Sequence, residues 1–159
     1  MGSEADNGER ARLIGGAAAL GVPLGEPQAL LLLRLLAELA HWNKAYNLTS
    51  IDDREGMLTH HLLDSLSVAP HVAGETVADV GTGAGFPGLP LAIIDPRRRY
   101  TLIDSNNKKI RFVAHVARHA DDGLVIALLA GGDERHLAVV VDLGEARDHL
   151  RRHVAHDRQ

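Results

Sequence analysis

A glycine-rich segment between Val77 and Pro90 carries the clearest chemistry of this chain. A short β-branched run ends at Asp79 and Val80, and glycines follow at positions 81, 83, 85 and 88. A strand, a tight loop and a helix N-terminus in this order hold nucleotide-like ligands, because glycine allows close backbone approach and the helix end presents free N–H groups. The segment therefore predicts a binding site for such a ligand.

Two acidic residues flank this loop in the predicted sheet. Asp79 ends the first strand, and Asp104 ends the next strand, where a carboxylate can accept hydrogen bonds from both ribose hydroxyls. The spacing of Gly83, Gly85 and Gly88 matches the dinucleotide fingerprint. Asp79 favours S-adenosylmethionine instead, since this carboxylate can face the cationic methionine end and would repel a pyrophosphate. A glycine turn without a ligand, with Asp104 as a helix N-cap, is a third interpretation.

The N-terminal part of the chain is predicted to be helical after a leader. Residues 1–25 are expected to be a flexible leader, and residues 26–72 a helical cap that precedes a domain at 73–159. Leucines at helical spacing predict a largely buried helix over Glu26–Tyr46. A second helix is expected over Asp53–Ala69, ending before a proline.

Alternating strands and helices follow the cap. Strands are predicted at Thr76–Val80 and Tyr100–Asp104, with helices at Pro87–Ile94 and Asn106–Ala120. Strand–helix–strand–helix order predicts a parallel, doubly wound sheet of the Rossmann-like type.

The pattern changes after this basic helix. Leu124–Leu129 and Leu137–Val141 resemble strands, and the segment between them is too short for a parallel crossover, so a β-hairpin is expected. Residues 144–159 are predicted to end the chain as a helix or a frayed tail.

Composition excludes several classes of protein. The chain has no cysteine, so disulfides, thiolate nucleophiles and zinc–cysteine sites are absent. Arg34 and Glu38 interrupt the best apolar run, so no membrane span is expected. The polar N-terminus is unlike a secretory signal, which predicts a cytoplasmic location. Histidine pairs such as His115 and His119 have no third ligand placed with them, so no metal site is expected.

Five sequence blocks together resemble one enzyme family. They are Trp42–Ser50, His60–Leu66, Asp79–Ile93, Leu102–Ser105 and Lys108–Phe112. In order and spacing they are similar to the RsmG (GidB) family of bacterial S-adenosylmethionine-dependent methyltransferases, which act on N7 of a guanine in 16S rRNA. The resemblance covers about residues 28–118. It implies a class I methyltransferase fold, S-adenosylmethionine as cofactor, and 16S rRNA or a small ribosomal subunit particle as partner.

The resemblance also implies roles for single residues. Gly81 and Phe86 match loop positions that contact the methyl donor, and Asp104 matches the acid on its ribose. The full set expected to bind the donor is Asp79, Gly81, Thr82, Gly83, Gly85, Phe86, Asp104 and Ser105. Residues that match signature positions near the active-site mouth are Asn47, His61, Asp64 and Ser65. Candidate RNA contacts are Asn47, His61, Arg97, Arg98, Lys108, Lys109 and Arg111.

No catalytic residue is assigned, because guanine N7 already carries a lone pair and its methylation needs alignment with the donor instead of a base. After Ala120 the chain departs from the family and lacks the positions expected to contact adenine and the donor. The segment from Gly123 resembles the family's C-terminal hairpin, so we expect an internal deletion, a shortened sheet, weak donor binding and impaired activity. The alternatives are a non-catalytic remnant with RNA or protein contacts only, and a nicotinamide-nucleotide oxidoreductase on the same loop.

Overall fold

Helices and a four-stranded sheet form the part of the chain that the structure describes. The computed structural model describes residues 4–119 in full and residues 125–130 and 139–142 as strand backbone. In chain order the elements are α1 (Glu4–Ala19), α2 (Glu26–Tyr46), α3 (Arg54–Met57), a π-helical segment (Leu58–Leu63), α4 (Asp64–Ser67), a 3-10 turn (Ala69–His71), β1 (Thr76–Val80), α5 (Gly88–Ile94), β2 (Arg99–Asp104), α6 (Asn107–His119), β3 (Val125–Ala130) and β4 (Val139–Asp142).

Helix α1 occupies most of the segment where the sequence predicts a flexible leader over residues 1–25. The expectation is wrong for residues 4–19, because Leu13 and Ala17 lie one turn apart and are fully buried against the other helices. Arg54 also donates from Nε to Glu9 Oε1 at 2.6 Å, which ties α1 to α3. Tertiary contacts stabilise this helix, whose alanine- and glycine-rich sequence has little amphipathic pattern of its own.

Helix α2 has the predicted bounds and is the centre of the helical layer. Its first turn is closed by the Gly25 N–H, which donates to Gln28 Oε1 at 3.0 Å. It ends at Asn47, whose left-handed backbone (φ 49°) directs its N–H to the Asn43 carbonyl. The side chains it buries follow helical spacing: Ala29, Leu32, Leu35, Leu36 and Leu39. A buried apolar stripe of this length anchors the neighbouring helices to α2.

A continuous helical segment runs from Arg54 to Ser67, close to the predicted helix over Asp53–Ala69. Asp53 caps it by accepting a hydrogen bond from the Gly56 N–H at 2.6 Å. Its middle, Leu58–Leu63, is π-helical, a local widening that the sequence periodicity did not indicate. Such segments are frequent at functional sites, and this one contains His61.

The sheet has the order β1-β2-β3-β4. β1 pairs with β2 and β2 with β3 in parallel, while β4 pairs antiparallel with β3. The predicted parallel pairing and the predicted antiparallel pair are therefore confirmed, while the doubly wound arrangement, with helices on both faces, is not seen among the described residues. The register aligns Asp79 with Leu102 and Asp104 with Ala130. The connection at 131–138 and the predicted tail at 144–159 lie outside the described residues.

Helices cover one face of the sheet. α5 and α6 both contact α2, and Tyr100 and Leu102 of β2 are buried beneath them. On the opposite face, among residues 4–119, the β1 side chains are exposed, Val80 to 77%. Within the described residues β1 has β2 as its single strand neighbour, so the strand that leads into the glycine-rich loop lies at an edge of the sheet.

Leu13→Ala tests whether α1 belongs to the folded unit. Because Leu13 is fully buried, we expect this variant to lower the free energy of unfolding by about 2–5 kcal/mol in urea denaturation. The matched control is Leu30→Ala on α2, where the leucine is 45% exposed and a change under about 1 kcal/mol is expected. Equal effects of the two substitutions would contradict a packed α1.

Candidate functional site

The glycine-rich loop lies between the carboxyl end of β1 and the start of α5. The N–H groups of Gly81 and Thr82 both donate to the Ile103 carbonyl, at 2.8 and 3.0 Å, which fixes the loop to the end of β2. Gly81, Gly83 and Gly85 all have positive φ. A Cβ added at Gly81 or Gly83 would meet nothing within 4 Å, so the loop backbone borders open space on this side. Ligand atoms can therefore approach the backbone closely.

Asp79 fixes the shape of this loop. Its Oδ2 accepts one hydrogen bond from Thr82 Oγ1 at 2.6 Å and another from the Gly88 N–H at 2.9 Å. Thr82 is almost fully buried, and Gly88 is the first residue of α5. The carboxylate thus joins the end of β1 to the first turn of the following helix, where negative charge is favourable.

Asp104 joins the loop to the neighbouring strand end. Its Oδ2 accepts from the Gly83 N–H at 2.8 Å, and its Oδ1 accepts from the Asn106 N–H at 2.8 Å. The cap of α6 is Asn106, whose Oδ1 accepts from the Lys108 N–H at 3.0 Å, so Asp104 is not the N-cap of this helix. Asp104 is half-buried beside the open glycine backbone, and Ser105, which follows it, is exposed.

The helical layer reaches this loop through His61. The His61 ring stacks on Phe86 with 4.9 Å between ring centroids and an interplanar angle of 29°. On its other side His61 Nε2 lies 2.9 Å from Thr49 Oγ1 in a hydrogen bond, and the Thr49 N–H donates to Asn43 Oδ1 at 2.9 Å. Ser65 Oγ donates to the His61 carbonyl. The loop position of Phe86 is therefore braced by a chain of contacts that begins in α2.

The environment of His61 disfavours its charged form. Burial is the largest cause that lowers its pKa, the neighbouring His60 lowers it further, and Asp64 opposes both. At neutral pH the imidazole is uncharged, which suits a ring stacked on Phe86.

The structure brings some of the sequence-predicted residues together and leaves others apart. Direct hydrogen bonds link Asp79 with Thr82 and Asp104 with Gly83, and the Phe86 ring contacts His61. Asn47 is the C-cap of α2. Lys108, Lys109 and Arg111 lie in the first turns of α6, just after Asp104.

Arg97 and Arg98 lie just before the start of β2, at the amino-terminal ends of the parallel strands and so at the end of the sheet opposite to the glycine-rich loop. Their Nε atoms donate to the two carboxylate oxygens of Asp95, at 2.9 and 2.8 Å, and these bonds lower the pKa of Asp95. Arg98 also donates to the Gly74 carbonyl. Both arginines therefore lie away from the glycine-rich loop.

Thr49 and Asn43 are site residues that the sequence did not single out. Both lie in the block Trp42–Ser50 that resembles the family, but the sequence assigned no role to either of them. The Thr49 hydroxyl is bonded to His61, twelve positions along the chain, and no local pattern predicts that contact.

Among the described residues, side-chain clusters that could hold a metal ion and helices that could span a membrane are both absent. They contain no group of three or more His, Asp or Glu side chains placed to hold a metal ion. No helix among them is long and apolar enough to cross a bilayer.

Comparison with known proteins relates this chain to one family. The family model described as rRNA small subunit methyltransferase G (GidB) matches residues 28–127. A protein named ribosomal RNA small subunit methyltransferase G from Stutzerimonas stutzeri (strain A1501) is 56% identical over 106 residues, which are 65% of this chain and 49% of that protein. The protein of the same name from Saccharophagus degradans is 55% identical over 100 residues, 63% of this chain and 45% of that protein. The chain spans about half the length of the curated relatives it matches.

Gly85→Ala and Gly81→Ala test the loop geometry as a matched pair. Both residues have positive φ, which costs an L-residue about 1–2 kcal/mol. A Cβ at Gly85 would also lie 2.4 Å from Cδ1 of the fully buried Leu89, so the expected loss of unfolding free energy is larger there, about 3 kcal/mol. Chemical denaturation of both variants measures the difference, and equal losses would refute the close packing of the loop on α5.

His61→Gln tests the neutral imidazole through the pH dependence of stability. A lowered pKa in the folded chain means that the unfolded chain binds more protons once the pH falls below about 6.5, so wild-type stability decreases as the pH falls from 7 to 5. Glutamine keeps a hydrogen-bonding group and does not titrate, so this decrease becomes smaller. Denaturation at several pH values measures it, with the exposed His41→Gln as control. An unchanged pH dependence in His61→Gln would contradict the assignment.

Proposed function

Because the chain belongs to the rRNA small subunit methyltransferase G family, we propose that it binds S-adenosylmethionine at the glycine-rich loop and transfers its methyl group to rRNA. The finer proposal is methyl transfer to N7 of a guanine in 16S rRNA, within a small-subunit particle in the cytoplasm, on a Rossmann-like class I fold. The observation that carries it is the pair of carboxylates, Asp79 and Asp104, that hold the glycine-rich loop at the carboxyl ends of adjacent parallel strands.

The loop residues fit this cofactor. A Cβ at Gly81 or Gly83 would meet no atom within 4 Å, so ligand atoms can approach the loop backbone closely at these two positions. Asp104 is half-buried beside this backbone, and a carboxylate with further lone pairs can accept from the ribose hydroxyls. Asp79 supplies negative charge at the start of α5, which suits the cationic end of the donor. The residues proposed to hold it are Asp79, Gly81, Thr82, Gly83, Gly85, Phe86, Asp104 and Ser105.

The chemistry proposed for this site needs alignment and no base. When bound, S-adenosylmethionine supplies an activated methyl group on a sulfonium. The chain's part is to bind the donor through the loop, to hold Phe86 in place through His61, and to orient an N7 lone pair toward the methyl group. Lys108, Lys109 and Arg111 are proposed to contact phosphates, because they lie next to Asp104 at the start of α6.

Donor binding depends on how well the loop is supported, and the relatives extend to about twice the matched length. Within the described residues β1 has a strand on one side only, which leaves one flank of the loop without support from the sheet. We therefore propose weaker binding than in a chain with the full sheet.

Titration with S-adenosylmethionine, followed by melting temperature, tests donor binding. A ligand that binds only the folded chain raises the melting temperature. At a ligand concentration of 100 times its Kd, it adds about 2.7 kcal/mol to the free energy of unfolding. Asp104→Asn keeps one acceptor oxygen and removes the charge, so we expect a lower affinity for the donor. Asp52→Asn, at an exposed position outside the loop, is the matched control and should bind as wild type does.

The same titration separates the alternatives. A cooperative melt that the donor does not shift would indicate a folded remnant without cofactor. A melting temperature that rises with NAD and does not change with S-adenosylmethionine would favour the nicotinamide-nucleotide oxidoreductase. If the donor binds, methyl transfer to undermethylated small-subunit particles, with 7-methylguanine measured by mass spectrometry, decides between activity and binding alone.

A further inference from the structure

Four aromatic rings in contact form a continuous row along α2 and α6, each ring tilted by about 40° to the next. His119 and His115 have centroids 4.4 Å apart, His115 and Trp42 5.0 Å, and Trp42 and Tyr46 5.3 Å. We name these four residues the aromatic ladder. It is unevenly exposed: Tyr46 is 47% exposed and His119 is exposed, while Trp42 and His115 are half-buried. Each end of the ladder therefore presents a ring to solvent.

The inner rings are held in place by their neighbours. Trp42 meets the fully buried Phe112 edge to face at 5.6 Å. His115 Nε2 lies 3.0 Å from Glu38 Oε2, and His119 Nδ1 donates to the His115 carbonyl at 2.7 Å. Because these rings are already held in place, stacking a further ring on the end of the row costs the protein little additional conformational entropy.

The relative direction of the two helices places the exposed Tyr46 end toward the basic start of α6. Glu38 pairs with His115 and Trp42 contacts Phe112, so α2 and α6 run in opposite directions where they meet. Tyr46, one turn beyond Trp42, therefore lies toward the first turns of α6. Lys108 and Arg111 are exposed there, on the helix face that also carries His115.

We propose that Tyr46, at the end of the aromatic ladder, forms with Lys108 and Arg111 a docking surface for single-stranded RNA. An unpaired base stacks on the Tyr46 ring and extends the ladder, while the two cations contact the neighbouring phosphates. Stacking on a ring requires a base face that duplex pairing hides, so the surface fits an unpaired segment. The choice of RNA over DNA rests on the proposed function; the stacking and the charge do not depend on it.

The position of this surface connects it with the loop. α6 begins directly after Asn106, and Asp104 holds Gly83 of the glycine-rich loop. A strand docked over Lys108 and Arg111 therefore lies beside the candidate donor site. Glu38 is the one acid in the described contacts of the ladder, and it is paired with His115, two rungs away from Tyr46.

The test uses the fluorescence of Trp42, the chain's single tryptophan, which is itself a rung of the ladder. The 159-residue chain is titrated with an unstructured ten-nucleotide RNA of mixed sequence, with DNA of the same sequence, and with inorganic polyphosphate. We expect saturable quenching by RNA that weakens with salt, with a log–log slope of about −0.7 for each phosphate contact. Polyphosphate should bind weakly and leave the emission unchanged.

Matched variants locate the binding surface. Tyr46→Leu removes an exposed ring and should weaken RNA binding about tenfold or more. Lys108→Ala and Arg111→Ala should each reduce the salt slope by about 0.7. His41→Leu changes another exposed ring on α2 that belongs to none of the described ring pairs, and it should bind as wild type does. Melting temperatures confirm that each variant is folded.

Three results would overturn the proposal. They are the absence of saturable quenching by RNA, an affinity of Tyr46→Leu within twofold of wild type, and equal displacement of bound RNA by polyphosphate. Tighter binding of DNA than of RNA would overturn the choice of RNA. None of these measurements needs the methyl donor, so a failure of S-adenosylmethionine binding and a failure of RNA docking are observed separately.

Discussion

The Asp79 carboxylate accepts hydrogen bonds from Thr82 Oγ1 and from the Gly88 N–H through one oxygen, and the shape of the glycine-rich loop depends on these two bonds. The two bonds hold the loop between the end of β1 and the first turn of α5 in its turned conformation. Gly88 shows how tight this junction is, since a Cβ there would lie 2.9 Å from Asp79 Oδ2 and 2.8 Å from Leu102 Cγ. With the loop closed in this way, Gly81 and Gly83 face open space and Asp104 can bond Gly83 from the next strand.

The helical layer supports the loop from one side. α2 contacts both α5 and α6, and its Asn43 holds Thr49, which in turn holds His61 against Phe86. Burial keeps the pKa of His61 below its ordinary value, so the stacking contact is made by a neutral ring. The same helix supplies Trp42 and Tyr46 to the aromatic ladder. One helix thus connects the glycine-rich loop with the proposed RNA surface, and its buried leucines fix both to a common core.

The sheet gives this site unequal support. On the β2 side the loop is bonded to the Ile103 carbonyl and to Asp104, whereas within the described residues no strand pairs with the other side of β1. A parallel sheet normally has both faces covered, and Val80 at 77% exposed departs from that rule. The chain matches about half the length of its relatives, so the ligand and the substrate that their names imply are proposals for this chain.

The sequence by itself determined the local elements and the ligand class proposed for the loop. Leucine spacing indicated α2, and Pro27 and Asn47 indicated its ends. Short apolar runs indicated β1 and, to within one residue, β2, because periodicity and turn residues act over a few positions. Only the tertiary structure decided that residues 4–19 are helical and that Thr49 holds His61 on Phe86. It also decided that Arg97 and Arg98 lie at the far end of the strands, and that four rings contact one another along α2 and α6. Each of these depends on contacts between residues distant in the chain. Their free energy comes from burial and packing, which no local pattern of residues specifies.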